Sequence, residues 1–320
     1  MKRRSFALGF GAAAWPFASR AQPAGRVFRV GVLRLSAAFE DDMVALTLRE
    51  LGYVEGRNLV LDQRFANGDA SALPARAREL VQLKPDVIVA VGLSTNRAAG
   101  QATAAIPIVM LGNFDPVAAG LVSSLARPGG NITGVLISSE GTLAGKRLEL
   151  LKDAVPQARR IALLVPDDPS IAAQVAEVRS AAKSLDVEIA VVELRDGDFD
   201  RAFSTIVASG AGALFVAGHS SFFRDRKAII ERAAKHRLAA TYEWPEQAVE
   251  GGLMAYGPPR LALYRRIAAY IDRILKGAKP GDMPIEQPTT FQLVVNLKTA
   301  QGLGIALPPS ILLRADEVIE

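Results

Sequence analysis

Two stretches of this 320-residue chain carry the residue types that nucleophilic or phosphate chemistry requires. Gly218-His219-Ser220-Ser221-Phe222 follows an apolar run and precedes a helical one, the setting in which a nucleophile elbow presents its serine. A secreted hydrolase built there would use Ser220 as nucleophile and His219 as base. The fifth position is Phe222 instead of glycine, however, and His219 adjoins Ser220 in sequence. The other histidine, His236, lies among Arg232, Lys235 and Arg237 on a charged helical run, so no matching triad is spelled out. Gly141-Thr142-Leu143-Ala144-Gly145-Lys146-Arg147 hints at a phosphate loop. It is one residue short, and Arg147 stands where Ser or Thr would bind magnesium. Its continuation into Leu148-Glu149-Leu150-Leu151 reads as a helix N-terminus. Two histidines and no cysteine give zinc no ligand set. The sequence calls for no cofactor, no metal and no catalysis.

What remains is a series of polar lips at the ends of apolar strands, which suits recognition. The richest runs from Ile106 to Gly134. A strand, Ile106–Leu111, ends on Gly112 and the lip Asn113-Phe114-Asp115. Pro116 then suits the first position of a short helix that stops at Arg127-Pro128-Gly129-Gly130-Asn131. Such carboxyl-terminal lips are where open α/β sheets bind small ligands. Asp115 can face a ligand ammonium, with Asn113 beside it, or can cap the helix. Ser94-Thr95-Asn96 offers hydroxyls and backbone N–H groups to a carboxylate, or an N-cap. Ser36, after the first strand, belongs to the same set. In the second half Ser138, Asp167, His219, Ser220, Tyr242 and Glu243 occupy equivalent positions. Phe114, Phe222, Tyr242 and Trp244 can stack on an apolar or aromatic ligand.

The elements that must position these residues alternate, strand with helix, from Val27 onward. That pattern predicts α/β lobes with parallel sheets and helices on both faces. Strands are expected at Val27–Leu33, Leu59–Phe65, Val87–Val91, Ile106–Leu111 and Ile132–Ile137. A second five follow at Ile161–Val165, Val187–Leu194, Ala213–Val216, Leu238–Thr241 and Leu253–Tyr256. The clearest helix is Leu261–Leu275, with Tyr264, Ile267, Ala268, Ile271 and Ile274 on one stripe and Gly277 as its stop. Breaks are expected near Ile137, at Gly257-Pro258-Pro259 and between Pro284 and Thr289. The resulting division is an export signal at 1–21, one lobe from 22–136 plus about 258–288, and a second from 137–257 plus about 289–320.

Half the residues are hydrophobic and 22% are charged, the balance of a folded globular protein. The formal net charge of +5 is concentrated at the start. Removing Lys2, Arg3, Arg4 and Arg20 from the 38 basic residues leaves 34 against 33 acidic ones. With no basic run elsewhere, nucleic acid is not an expected partner. Met1–Arg4, the apolar Phe6–Ala18 and Ser19-Arg20-Ala21 read as a cleavable export signal, cut after Ala21; Arg3-Arg4-Ser5-Phe6-Ala7-Leu8 has a twin-arginine character. The apolar stretch is too short and too rich in Gly and Pro to stay in a membrane, so no stable membrane insertion is expected. Without cysteine there is no disulfide and no thiol to lipidate. The expectation is a periplasmic protein that is not a lipoprotein.

Asp115-Pro116, Gly120-Leu121-Val122, Arg127 to Asn131 and Thr133-Gly134 share their wording with a known family. So do Leu48 to Asn58, Lys146 to Leu151, Gly251 to Gly257, Glu286 to Thr299 and Arg314 to Glu320. Taken in order, these segments resemble the ABC-transporter substrate-binding proteins of the tryptophan/tyrosine-type periplasmic family. The resemblance implies a type I periplasmic-binding, Venus-flytrap architecture: two Rossmann-like lobes that close by a hinge on a small ligand. It also implies a non-catalytic receptor that hands an amino acid or other small organic solute to an ABC transporter permease. The loop after the first strand, Arg34 to Phe39, is short for the family. Beside this reading stand the secreted hydrolase using Ser220 and His219, and a ligand-sensing domain of the same fold. The latter is disfavoured by the export signal.

Overall fold

The computed structural model describes residues 26–36, 42–138 and 142–320. The expected export signal lies outside them. The first sheet is built from β1 (Phe28–Arg34), β2 (Leu59–Phe65), β3 (Val87–Val91), β4 (Ile108–Gly112) and β5 (Ile132–Leu136), with α1 (Met43–Glu50), α2 (Leu73–Gln82) and α3 (Leu93–Ala102) between strands. All five strands are parallel, in the order β2-β1-β3-β4-β5. β1, β3, β4 and β5 are apolar on both faces because helices cover both sides, as a parallel sheet requires.

The second lobe follows through α4 (Thr142–Ala154), β6 (Arg160–Pro166), α5 (Ala172–Ser184), β7 (Glu188–Leu194), α6 (Phe199–Ala208) and β8 (Ala213–Val216). It continues with α7 (Ser220–Arg224), α8 (Arg226–Lys235), β9 (Ala239–Tyr242), α9 (Pro245–Val249) and β10 (Met254–Gly257). The chain then returns as α10 (Arg260–Leu275), which packs against α1 and across β3, β4 and β5. Its buried stripe is Leu263, Tyr264, Ile267, Ala268, Tyr270, Ile271 and Ile274, and Gly277 ends it at φ +101°. Residues 283–286 run beside β5: Thr133 donates its hydroxyl to Met283, and Leu136 and Gly134 exchange backbone bonds with Glu286. The chain crosses once more to β11 (Gln292–Asn296), α11 (Leu297–Leu303), α12 (Pro309–Leu312) and β12 (Glu317–Ile319).

The two-lobed α/β class matches the expectation, but two details are corrected. The second sheet holds seven strands instead of five, in the order β12-β11-β10-β9-β8-β6-β7. β11 joins β10 antiparallel, and the three-residue β12 extends the edge. Both fall after the last strand expected from the pattern; β11 is five residues, three of them apolar, running straight into α11. The helix expected from Pro116 is also absent. Residues 116–120 form a turn closed through the Ala119 and Leu121 N–H groups, Gly120 then takes φ +71°, and 121–127 continue as bends and irregular backbone.

Candidate functional site

The carboxyl ends of β1, β3 and β4 face those of β6, β8 and β9 across a cleft of about 910 Å³, part of it open to solvent. On the first lobe, Gly92 turns the chain at φ +94° from β3 into α3. As a glycine at the N-cap it supplies no side-chain cap, so the N–H groups of Leu93, Ser94 and Thr95 lack partners within the helix. Thr95 donates its hydroxyl back to the Val91 and Gly92 carbonyls at 2.5 and 2.7 Å. Buried Asn96 donates to the Ala90 and Gly92 carbonyls at 3.0 and 2.8 Å. These bonds fix the turn, and Leu93, Ser94 and Thr95 line the cleft. The positive end of the helix dipole and the free N–H groups are features that attract an anion.

The facing wall comes from the second lobe. Gly218 donates its N–H to Gln174 Oε1 at 2.7 Å. His219 Nδ1 accepts from the Ser221 N–H at 3.3 Å, which leaves Nε2 protonated and turned to Asp168 Oδ2 at 3.3 Å. Burial pushes the Asp168 carboxyl up, but bonds from His219 and Ser170 outweigh it and hold it down at about 2. Ser220 makes no hydrogen bond to His219. The hydroxyl that meets the ring is that of Ser221, at 2.7 Å within one helix-capping turn. The turn weighed as an alternative nucleophile elbow is therefore a cap and not a nucleophile–base pair.

Glu243, 4% exposed, follows β9 and bridges the lobes: Asn113 Nδ2 donates to its Oε1 at 3.0 Å, and Ser138 in turn donates to Asn113 Oδ1. Burial pushes the Glu243 carboxyl up; Arg147, Asn113 and His219 pull it down without cancelling that effect. Two glycines make its slot. A Cβ on Gly218 would sit 2.2 Å from Glu243 Oε1, and one on Gly257 would sit 1.9 Å from the Glu243 carbonyl oxygen. A second bond between lobes runs from Arg224 Nη1 to Ser36 Oγ at 3.2 Å. Apolar side chains complete the enclosure: Leu35, Leu111, Phe114, Ile137 and, from α10, Tyr264 on the first lobe, Phe223 and Trp244 on the second. Arg260 joins them, its guanidinium 4.2 Å over the Phe223 ring and 3.5 Å from Glu246.

Of the residues singled out in the sequence, this cleft brings together Ser94, Thr95, Asn113, Phe114, His219, Ser220 and Glu243. Asp115 and Ser138 line an adjoining cavity. The Asp115 carboxylate is exposed and occupied by the Val117 and Ala118 N–H groups, so the capping alternative describes its bonding. Ser36 is buried against Arg224. Asp167 is exposed and outside the cleft; its neighbour Asp168 lines it. Tyr242 is fully buried in the second lobe's core, while Glu243 and Trp244 line the cleft. Phe222 likewise belongs to the core, and Phe223 reaches the cleft. Sequence reasoning paired Asp168 with Asp167 at this strand end and missed Gln174, Arg260 and Tyr264. Tyr264 was hidden in an apolar stripe; Gln174 had no signal. Among the described residues no group of acidic or histidine side chains is arranged to hold a metal, and no helix is long and apolar enough to cross a membrane.

Comparison with known proteins agrees with this geometry. The family model described as ABC transporter substrate binding protein matches residues 42–319. A tyrosine-binding protein of Clostridioides difficile (strain R20291) is 26% identical over 260 residues, covering 81% of this chain and 74% of that one. Among solved structures, a conserved domain protein of Vibrio cholerae O1 biovar eltor superposes with a TM-score of 0.82 at 25% identity, covering 92% of this chain and 100% of the other. An ABC domain from Streptococcus pneumonia in complex with L-Trp gives 0.81 at 25% identity, with the same coverage. The fold is that of type I periplasmic binding proteins.

Proposed function

The chain belongs to the ABC transporter substrate binding protein family, and from that premise we propose that it is the periplasmic receptor of an importer, taking an α-amino acid between its lobes and delivering it to the permease. It binds and releases; the family is one of solute-binding proteins and not of enzymes. The observation that carries the reading is the opposition of two charges' worth of recognition across one cleft. The uncapped N-terminus of α3 suits a carboxylate, and buried Glu243 beside Asn113 suits an ammonium. Leu35, Phe114, Trp244 and Tyr264 then enclose an apolar or aromatic side chain. The names of two relatives, a tyrosine-binding protein and an L-Trp complex, support the same class. Export rests on the signal at residues 1–21, with Gln22 as the mature N-terminus, and the absence of cysteine argues for a free periplasmic form.

Mass spectrometry of small molecules released from denatured native protein, followed by calorimetric titration with the same compounds, tests this. An amino acid recovered unchanged and binding at one site per chain is the expected result. A copurifying solute lacking either a carboxylate or an amine, or one consumed on incubation, refutes it.

A further inference from the structure

Arg147, which spoils the phosphate-loop pattern, has the largest side chain among the fully buried residues, at 1% exposure. It rises from α4, which packs under β8, β9 and β10. Its Nη2 donates to the carbonyl of Val216, the last residue of β8, and its guanidinium carbon lies 4.3 Å over the Phe215 ring. Nε has no hydrogen-bond partner. No ion pair within 4 Å neutralises it among the described residues, so its charge acts through the protein on Glu243 and Glu177. Two residues beyond Val216 is Gly218, whose missing side chain leaves the slot for the Glu243 carboxylate. One cation thus anchors the strand end that forms the slot and supplies the field felt inside it.

We propose that Arg147 is a positioning residue for the ligand: from beneath the second sheet it holds the end of β8 and the Gly218 slot, keeps the Glu243 carboxyl aimed into the cleft, and by its charge lowers the pH below which the cleft stops accepting an ammonium group. The role of Glu243 toward an ammonium rests on the receptor reading above. Burial pulls the Arg147 guanidinium down to about 10, opposed by Glu243 and Glu177, so it stays cationic near neutrality. The groups that face Glu243 are Arg147 from α4, Asn113 from the end of β4, and His219 at the head of α7 with Asp168 behind it. Arg260 and Tyr264 of α10 line the same cleft. Of these, Arg147 is the strongest opponent of the burial that favours a protonated Glu243.

Glutamate labelled with carbon-13 at Cδ reports the titration directly by NMR on the ligand-free protein, with Glu243→Gln identifying the resonance. In Arg147→Met the Glu243 midpoint should rise by about one pH unit or more, and in Arg147→Lys, which keeps the charge, it should stay near the wild-type value. Should Arg147→Met fail to fold, Arg147→Gln carries the same measurement. Calorimetric titration with L-tyrosine and L-tryptophan between pH 5 and 8 gives a second readout. The neutral variant should lose affinity most at low pH and recover as pH rises, whereas a purely structural role lowers affinity evenly across the range. An unmoved Glu243 midpoint in a folded neutral variant overturns the proposal. If neither amino acid binds the wild-type protein, the amino-acid reading falls, while the NMR midpoint still decides the role of Arg147.

Discussion

Gly218→Ala is the sharpest test of the cleft, because it adds one carbon at a known place. The added Cβ would lie 2.2 Å from Glu243 Oε1, 2.4 Å from Cδ and 2.5 Å from Oε2. Contacts that short do not occur, so the carboxylate must withdraw by most of an ångström. The 3.0 Å bond from Asn113 cannot survive that movement, nor can a ligand ammonium find the carboxylate where the slot now holds it. A charge-assisted hydrogen bond is worth about 1.5–3 kcal/mol, so the dissociation constant should rise roughly ten- to a hundredfold. The backbone of Gly218 is not left-handed, so alanine brings no conformational strain and the fold should persist. Calorimetric titration of the copurifying ligand against wild type and variant, beside thermal melts, separates affinity from stability. Wild-type affinity in Gly218→Ala would show that Glu243 does not face the ligand, and the argument from the glycine slot would be lost.

Further outcomes follow from the same geometry. Glu243→Gln should melt higher than wild type near pH 7. The native carboxyl is pushed up, so its ionisation costs stability, and the difference should shrink in melts as pH falls toward 5. Asp168→Asn should remove stability that wild type has above the ordinary carboxylate range and loses as pH falls toward about 2; acid-unfolding curves of the two proteins should converge at low pH. Asp115→Ala should cost about 0.5–1.5 kcal/mol in chemical denaturation, through the lost turn bonds to the Val117 and Ala118 N–H groups, and leave affinity unchanged. Gly302→Ala, in α11 with open space around it and no left-handed φ, should stabilise the protein by about 0.4–1 kcal/mol in the same assay.

Where the sequence was legible, periodicity and turn chemistry did the work. Apolar runs located all five strands of the first lobe, and the Tyr264–Ile274 stripe located α10. Residues directly after those runs mapped part of the cleft, since the ends of parallel strands converge on one face. β11 was missed because Gln292–Asn296 passes into α11 without a turn residue, and β12 because three residues give no period. Neighbours could not be told apart: Tyr242 against Glu243 and Asp167 against Asp168 sit at strand ends and Phe222 against Phe223 in α7, and each is a one-residue question of which side chain faces the cleft. Arg147 could not be read as functional, because nothing local says that a helix residue lies under a strand end about seventy positions later.

The return of α10 to the first lobe governs the order in which the molecule can be completed. Tyr53 bonds Asp272 across 219 residues, Glu50 meets Arg265 across 215, and Thr133 meets Met283 across 150. The half of the protein that leaves the ribosome first therefore lacks one covering layer until almost all of the chain exists. The second lobe closes round most of its own core while the first still exposes one face of β3, β4 and β5. Such long-range closure is slow and leaves apolar strand surface open in the meantime. A nascent chain of this design spends most of its synthesis in need of protection, and holding factors that bind exposed apolar segments have their longest window on residues 28–136.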